Sequence, residues 1–242
     1  KSLRSSNQRF RLRICRNFIG LSDKLENDPA RSTQARSGRN DKRISARSIQ
    51  RRYERLTMEQ SIIIAGFGGQ GVLSAGIILA DSFMLNDKKV TWYPCYGAEM
   101  RGGAVNCEIV VSDIEVTSVH KKETDFLIAL NDLSFDKFLP KVKKGGIVIA
   151  NSSLFEEKRP RDDVRYIFAN LSDIARENGS VKATNMAALG VLSEICDLCD
   201  ITSIQKAVEK VLTPEKIHLK NMNFKVLSEG QKIGSEYKNR KI

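Results

Sequence analysis

Four glycines in six residues, Gly66-Phe67-Gly68-Gly69-Gln70-Gly71, mark the first place where this chain could do chemistry. Gly66, Gly68 and Gly71 stand in G-x-G-x-x-G spacing, directly behind the β-branched run Ile62-Ile63-Ile64 and ahead of a helix-length apolar segment. Glycines there allow a tight turn and let a bound group reach the backbone, while the helix start offers unpaired N–H donors and partial positive charge. A turn of this kind suits a phosphate-sized anion, and Gly66, Gly68, Gly69, Gln70 and Gly71 are its candidate binding residues. The second cluster is Tyr96-Gly97-Ala98-Glu99-Met100-Arg101-Gly102-Gly103, followed by Asn106-Cys107. An arginine fork fits a carboxylate or phosphate, a neighbouring Glu can orient it, and three flanking glycines permit close backbone approach.

Other chemistry finds less support. Cys196 and Cys199 form a lone C-x-x-C, but with Leu189 and Leu192 they recur at helical spacing, so both thiols are expected to be buried structural groups. Cys95 and Cys107 flank the second cluster without a histidine to complete a zinc set. The two histidines, His120 and His218, have no ligand partner at metal spacing. Neither a catalytic residue nor a metal site is expected in this chain, and Asn185 is expected to be a helix N-cap.

The elements that must position these clusters alternate in type. Strands are expected at 62–65, 90–93, 105–111, 126–130, 147–150 and 164–168. A second strand at 115–119 is expected to form a hairpin with 105–111 through Ser112-Asp113-Ile114. Helices are expected at 70–85, 132–139, 171–177, 187–199, 204–211 and 219–237, with a turn at Gly145-Gly146. In the first helix Leu73, Ile77, Ala80 and Met84, with Ile78 and Leu79 widening the stripe, are expected to face the sheet. In the last, Leu219, Met222, Val226, Ile233 and Tyr237 form the expected stripe. This alternation implies an α/β fold: an open, mostly parallel Rossmann-like sheet with helices on both faces and an inserted hairpin. Loops at the carboxyl ends of the strands would then share one rim, placing the turn at 66–71 beside the loop after Tyr93.

Charge divides the chain at Met58. Of 40 basic and 29 acidic side chains, 16 and 5 lie within residues 1–57, so the whole formal excess of +11 is there. Residues 58–242 balance to zero and carry no global electrostatic footprint for nucleic acid. The composition of 1–57, rich in Arg, Ser, Asn and Gln, cannot bury enough surface to offset its ordering entropy. It is expected to be a basic disordered extension foreign to the domain at 58–242, with an organelle transit peptide or a nucleic-acid-binding arm as the alternatives. Without an apolar run near 18 residues or a secretory pattern, neither a membrane nor a secreted location is expected. Five cysteines in a chain this long suit reduced thiols in a cytoplasm better than a disulfide framework.

With both clusters in view, the chain resembles the gamma subunit of 2-oxoacid:ferredoxin oxidoreductases. Asp125-Phe-Leu-Ile-Ala-Leu-Asn131, Gly145-Gly-Ile-Val-Ile149 and Asn185 through Leu189-Gly190 extend the resemblance over about 58–237, and 1–57 has no counterpart in it. Glu99-Met100-Arg101-Gly102-Gly103 looks more like the 2-oxoglutarate or branched-chain branch than the pyruvate branch. The resemblance implies a non-catalytic subunit, working with alpha, beta and delta-type subunits. The complex converts a 2-oxoacid, here 2-oxoglutarate, to its acyl-coenzyme A and passes electrons to ferredoxin or flavodoxin. It implies thiamine diphosphate, Mg, iron–sulfur clusters and coenzyme A in that complex, with no cofactor bound by this chain alone. It also implies that Gly66, Gly68, Gly69, Gln70, Gly71, Tyr96, Gly97, Glu99, Arg101, Gly102, Gly103 and Asn106 face a shared cavity.

Two rivals remain. A stand-alone dinucleotide-binding oxidoreductase needs an acidic residue at the end of its second strand to grip a ribose, and Val90-Thr91-Trp92-Tyr93-Pro94 has none. The small subunit of indolepyruvate ferredoxin oxidoreductase shares the glycine turn but tends toward a different second motif, with His-Gly-Met and Gln-Arg-Gly-Gly.

Overall fold

A computed structural model of the chain describes residues 59–96, 104–116 and 118–240. Its centre is a six-stranded sheet in the order β2-β3-β1-β4-β5-β6. The strands are β1 (Glu59–Phe67), β2 (Lys89–Tyr96), β3 (Ala104–Ser112), β4 (Thr124–Ala129), β5 (Val142–Asn151) and β6 (Arg165–Ala169). β1, β4, β5 and β6 pair in parallel, and β3 runs antiparallel between β1 and β2. The continuous apolar runs of β1 and β4 follow from burial on both faces, which leaves no position for a solvent-facing polar side chain.

The helices are α1 (Val72–Leu85), α2 (Asp132–Phe138), α3 (Leu171–Glu177), α4 (Thr184–Ile195), α5 (Ile201–Val211) and α6 (Lys220–Asn239). They cover the two faces unequally. Ile62, Ile64, Cys107 and Ile109 meet α1 and α3 to α6 in one large core. On the other face, Ile63, Ala65, Leu127 and Val148 meet α2, the short 3-10 turn Leu139–Lys141 and the partly buried rings of Phe155, Tyr166 and Phe168. Buried Asp81 of α1 accepts from Lys210 of α5 at 3.0 Å, a charged tie between two helices of the larger layer.

Several expectations change. The hairpin exists, but its strands are β2 and β3; the described residues of 115–119 form no strand. β2 reaches Tyr96, so Pro94-Cys95-Tyr96 belongs to a strand rather than a loop. Pro94 is tolerated because β2 is an edge strand, where a missing N–H can face away from the ladder. Gly145 and Gly146 lie inside β5 at a register irregularity opposite Thr124 and Phe126, not in a turn between elements.

In α1 the buried residues include Val72, Ala75, Ile78, Leu79 and Phe83, whereas Met84 is 39% exposed. The helix is apolar around most of its circumference, so periodicity could not select the face. Gly76 selects it: a Cβ there would stand 2.5 Å from both Cys107 Sγ and Trp92 Nε1, so α1 lies close over β2 and β3. α4 ends at Ile195, and Cys196 and Cys199 sit in the turn that follows it, buried as expected but off the helix. α6 begins at Lys220 behind the 3-10 turn Pro214–Leu219 and buries Val226, Leu227, Gly230 and Gly234.

Candidate functional site

The strand register brings both motif-bearing segments to one end of the sheet. Phe67, the last residue of β1, pairs with Ala104, the first of β3, and Tyr96, the last of β2, pairs with Val105. The turn leaving β1 and the segment joining β2 to β3 therefore start from adjacent strand ends. Gly97, Glu99, Arg101, Gly102 and Gly103 lie outside the described residues.

The glycine turn has a definite shape. Gly69 has φ 100° and Gly71 φ 75°, both in the left-handed region that L side chains rarely adopt. Gly68 and Gly69 are exposed, and a Cβ at Gly69 would meet nothing within 4 Å. Gly66 is glycine for a different reason, because a Cβ there would stand 2.7 Å from Gln70 Oε1. That oxygen accepts from Phe67 N–H at 2.6 Å and from Asn131 Nδ2 at 3.1 Å, while Gln70 Nε2 donates to Leu130 O at 3.3 Å. The Gln70 amide thus pins the turn to the end of β4 and places its acceptor inside the protein. Asn131 in turn caps α2, its Oδ1 accepting from Ser134 N–H at 2.8 Å.

At the far end of the turn Gly71 opens α1 without a side-chain cap. Its carbonyl accepts from Ala75 N–H at 2.9 Å and from Asn185 Nδ2 at 3.1 Å. Asn185 is therefore not the N-cap that its place before an apolar run suggests. It is the second residue of α4, and Ala183 occupies the cap position and provides no side-chain bond. The Asn185 amide is spent on Gly71, 114 residues earlier in the chain. A Cβ at Gly71 would stand 2.5 Å from Asn185 Nδ2, so glycine at 71 and asparagine at 185 are one packing unit.

Asn106 is buried and pairs with Ala65 and Cys95, so its side chain lies on the sheet face opposite α1. Two residues along the same face, buried Glu108 is held by His120 Nδ1 at 2.7 Å and Lys141 Nζ at 3.2 Å, with the Tyr93 ring against the imidazole. This explains a carboxylate inside a buried strand, and it gives His120 a structural partner.

Burial pushes the Cys107 thiol up to about 12, against a smaller opposing pull from the Trp92 indole N–H. Burial likewise raises Cys196 to about 12 and Cys199 well above the ordinary thiol range. These sulfurs are protonated and poor nucleophiles at neutral pH. Among the described residues, no group of three or more His, Cys, Asp or Glu side chains could hold a metal ion. No helix among them is long and apolar enough to cross a membrane.

With this geometry in hand, three relatives are informative. The ketoisovalerate oxidoreductase subunit VorA of Methanothermobacter marburgensis is 35% identical over 173 residues, covering 71% of this chain. This chain spans only 36% of that relative's length. The 2-oxoglutarate synthase subunit KorC of Archaeoglobus fulgidus is 39% identical over 140 residues, covering 58% of this chain and 72% of that protein. The crystal structure of a keto/oxoacid ferredoxin oxidoreductase gamma subunit from Geobacter sulfurreducens superposes with TM-score 0.64 at 27% identity, covering 73% of this chain and 99% of that one. The sequence model described as pyruvate ferredoxin/flavodoxin oxidoreductase matches residues 61–233, which takes in the glycine turn, all six strands beyond the first two residues of β1, and α1 to α5 entire. The chain belongs to the pyruvate ferredoxin/flavodoxin oxidoreductase family.

Proposed function

We propose that this chain is the gamma subunit of a multi-subunit 2-oxoacid:ferredoxin oxidoreductase, acting with alpha, beta and delta-type subunits to convert 2-oxoglutarate to succinyl-coenzyme A. The observation that carries the reading is the strand register: Phe67 beside Ala104 and Tyr96 beside Val105 launch both motif-bearing segments from one sheet end. The likeness to the Geobacter sulfurreducens gamma subunit supports a gamma-type role, and the KorC relative supports 2-oxoglutarate. The VorA relative, similar over more of this chain, favours a branched-chain 2-oxoacid as a second reading. A panel of 2-oxoacids offered to the purified assembly separates the two.

In this reading the residues at 66–71 and 96–103, with Asn106, form one wall of a cavity completed by the other subunits. Exposed Gly68 and Gly69 and the uncapped start of α1 fit an anionic group that must approach backbone, as the phosphates of coenzyme A would. Coenzyme A supplies the thiol that accepts the acyl group; this chain's part is to hold its anionic portion, with Arg101 as the cationic contact. Thiamine diphosphate, Mg and iron–sulfur clusters belong to the partner subunits, and ferredoxin or flavodoxin takes the electrons. Steady-state kinetics of the reconstituted complex test the assignment. Arg101→Ala raises KM for coenzyme A by about tenfold or more, the scale of one lost charge-assisted contact. Unchanged KM rejects the role.

A further inference from the structure

Gln70 of the glycine turn and four polar side chains from distant parts of the chain meet around the same end of the sheet. Asn151 ends β5 and is fully buried; its Nδ2 donates to Leu130 O at 3.2 Å and to Ser172 Oγ at 2.8 Å. Its Oδ1 accepts from Ser172 N–H at 3.2 Å at the start of α3. Thr184, at the start of α4, has its Oγ1 3.3 Å from Ser172 Oγ and donates to Val181 O at 2.6 Å. With the Thr184 proton placed on Val181, the Ser172 hydroxyl is the donor between the two oxygens. Thr184 is joined covalently to Asn185, whose Nδ2 donates to Gly71 O, and Gly71 is joined to Gln70, whose Nε2 donates to Leu130 O. Leu130 O also receives Asn151, and there the path closes.

We propose that Gln70, Asn151, Ser172, Thr184 and Asn185, joined through the Leu130 carbonyl and the main-chain links 70–71 and 184–185, form a closed ring that fixes the shape of the glycine turn. Every bridging proton has an acceptor, and every member is uncharged. Ser172 and Thr184 are each 2% exposed, and Asn185 is 5% exposed. A satisfied network in such surroundings has few alternative arrangements, because breaking one bond strands a buried polar group. The ring therefore makes Asn151, Ser172 and Asn185 positioning residues. They touch no anion, but they hold two left-handed glycines in the conformation that presents backbone to one. Its bearing on catalysis rests on the function proposed above; its hold on the turn does not.

Ser172 is the informative position, since its hydrogen bonds go to Asn151 and Thr184 rather than to the turn, and Ser172→Ala deletes only a hydroxyl. Amide hydrogen exchange at 66–71 is measured in the full chain for Ser172→Ala, for Asn185→Ala and for the double variant. Each single variant speeds exchange there by about fivefold, the ratio that one ordinary net hydrogen bond supports. The double variant is no faster than the worse single by more than about twofold, because a ring already opened has little further constraint to lose. Unchanged exchange in Ser172→Ala, or single effects that multiply, overturns the ring. If Asn185→Ala misfolds, Ser172→Ala combined with Thr184→Val supplies the same comparison. In the reconstituted complex the ring variants raise KM for coenzyme A with kcat unchanged. Faster exchange at the turn with no change in KM, in these variants and in Arg101→Ala alike, would uphold the ring and refute the coenzyme A reading.

Discussion

Two sets of glycines divide the work of this molecule, and they are glycine for opposite reasons. In the turn at 66–71, Gly69 and Gly71 are required by backbone conformation, and Gly69 faces open space. Where α4 packs on α6, Gly190, Gly230 and Gly234 have ordinary helical backbone and are required by contact. A Cβ at Gly230 would overlap the Ala187 carbonyl oxygen, and one at Gly190 would overlap that of Leu227. The first set creates access to the chain and the second removes distance between helices. Gly230 and Gly234 are one helical turn apart, so they cut a continuous groove that seats α4 backbone against α6 backbone. Access costs stability and contact supplies it, so substitutions in the two sets should fail in different assays.

The largest effect is expected at the helix contact. Gly230→Ala forces a methyl into a backbone oxygen that cannot move without moving the whole of α4, beyond the ~1–3 kcal/mol usual for overpacking. Against a net stability of ~5–15 kcal/mol for a domain, the variant should show a much lower denaturant midpoint or fail to accumulate as folded protein. A near-native midpoint would show that the two helices can separate cheaply. Gly71→Ala is intermediate, because among the described rim glycines it is the one that combines both requirements. Left-handed strain costs ~1–2 kcal/mol, and Asn185 must give up its bond to Gly71 O, about 1 kcal/mol more. Its folded fraction should survive, and its KM for coenzyme A should rise further than that of Asn185→Ala.

This contrast also explains what can be read from the chain alone. Clustered glycines behind Ile62-Ile63-Ile64 announce a strand, a turn and a helix because that conformation is local, and β1 and α1 stand where the pattern puts them, with Gly71 capping a helix that starts at Val72. Gly190, Gly230 and Gly234 announce nothing, since a helical glycine kept for close packing looks like any weak helix former until its neighbour is known. The stripe expected on α6 omits both of its buried glycines for this reason. A turn signal at Ser112-Asp113-Ile114 points β3 forward to the wrong partner, whereas its hairpin partner is β2, the strand before it, across the longer connection at 97–103. The bonds of Asn151 and Asn185 leave no mark in the sequence nearby, because their partners lie 21 and 114 residues away. One sign is present: Asn131 and Asn151 each end an apolar strand run at the sheet's carboxyl edge, where an amide has reason to be.

The smallest expected change in stability gives the sharpest test of which end of the sheet matters. Gly145 shares the local features of Gly69: φ is 78°, the residue is exposed, and a Cβ would meet nothing within 4 Å. It differs in place, since Gly145 lies toward the start of β5, opposite the edge that carries the glycine turn. Alanine at either position should cost ~1–2 kcal/mol from left-handed strain alone. The two variants should therefore unfold at similar denaturant concentrations, both slightly below the parent. Kinetics should separate them: Gly145→Ala keeps the parent KM for coenzyme A, whereas Gly69→Ala raises it by more than its stability loss can explain, because a methyl group now stands where the ligand approaches backbone. Equal kinetics in a pair matched for strain would remove the glycine turn from the reaction and leave it a turn between β1 and α1.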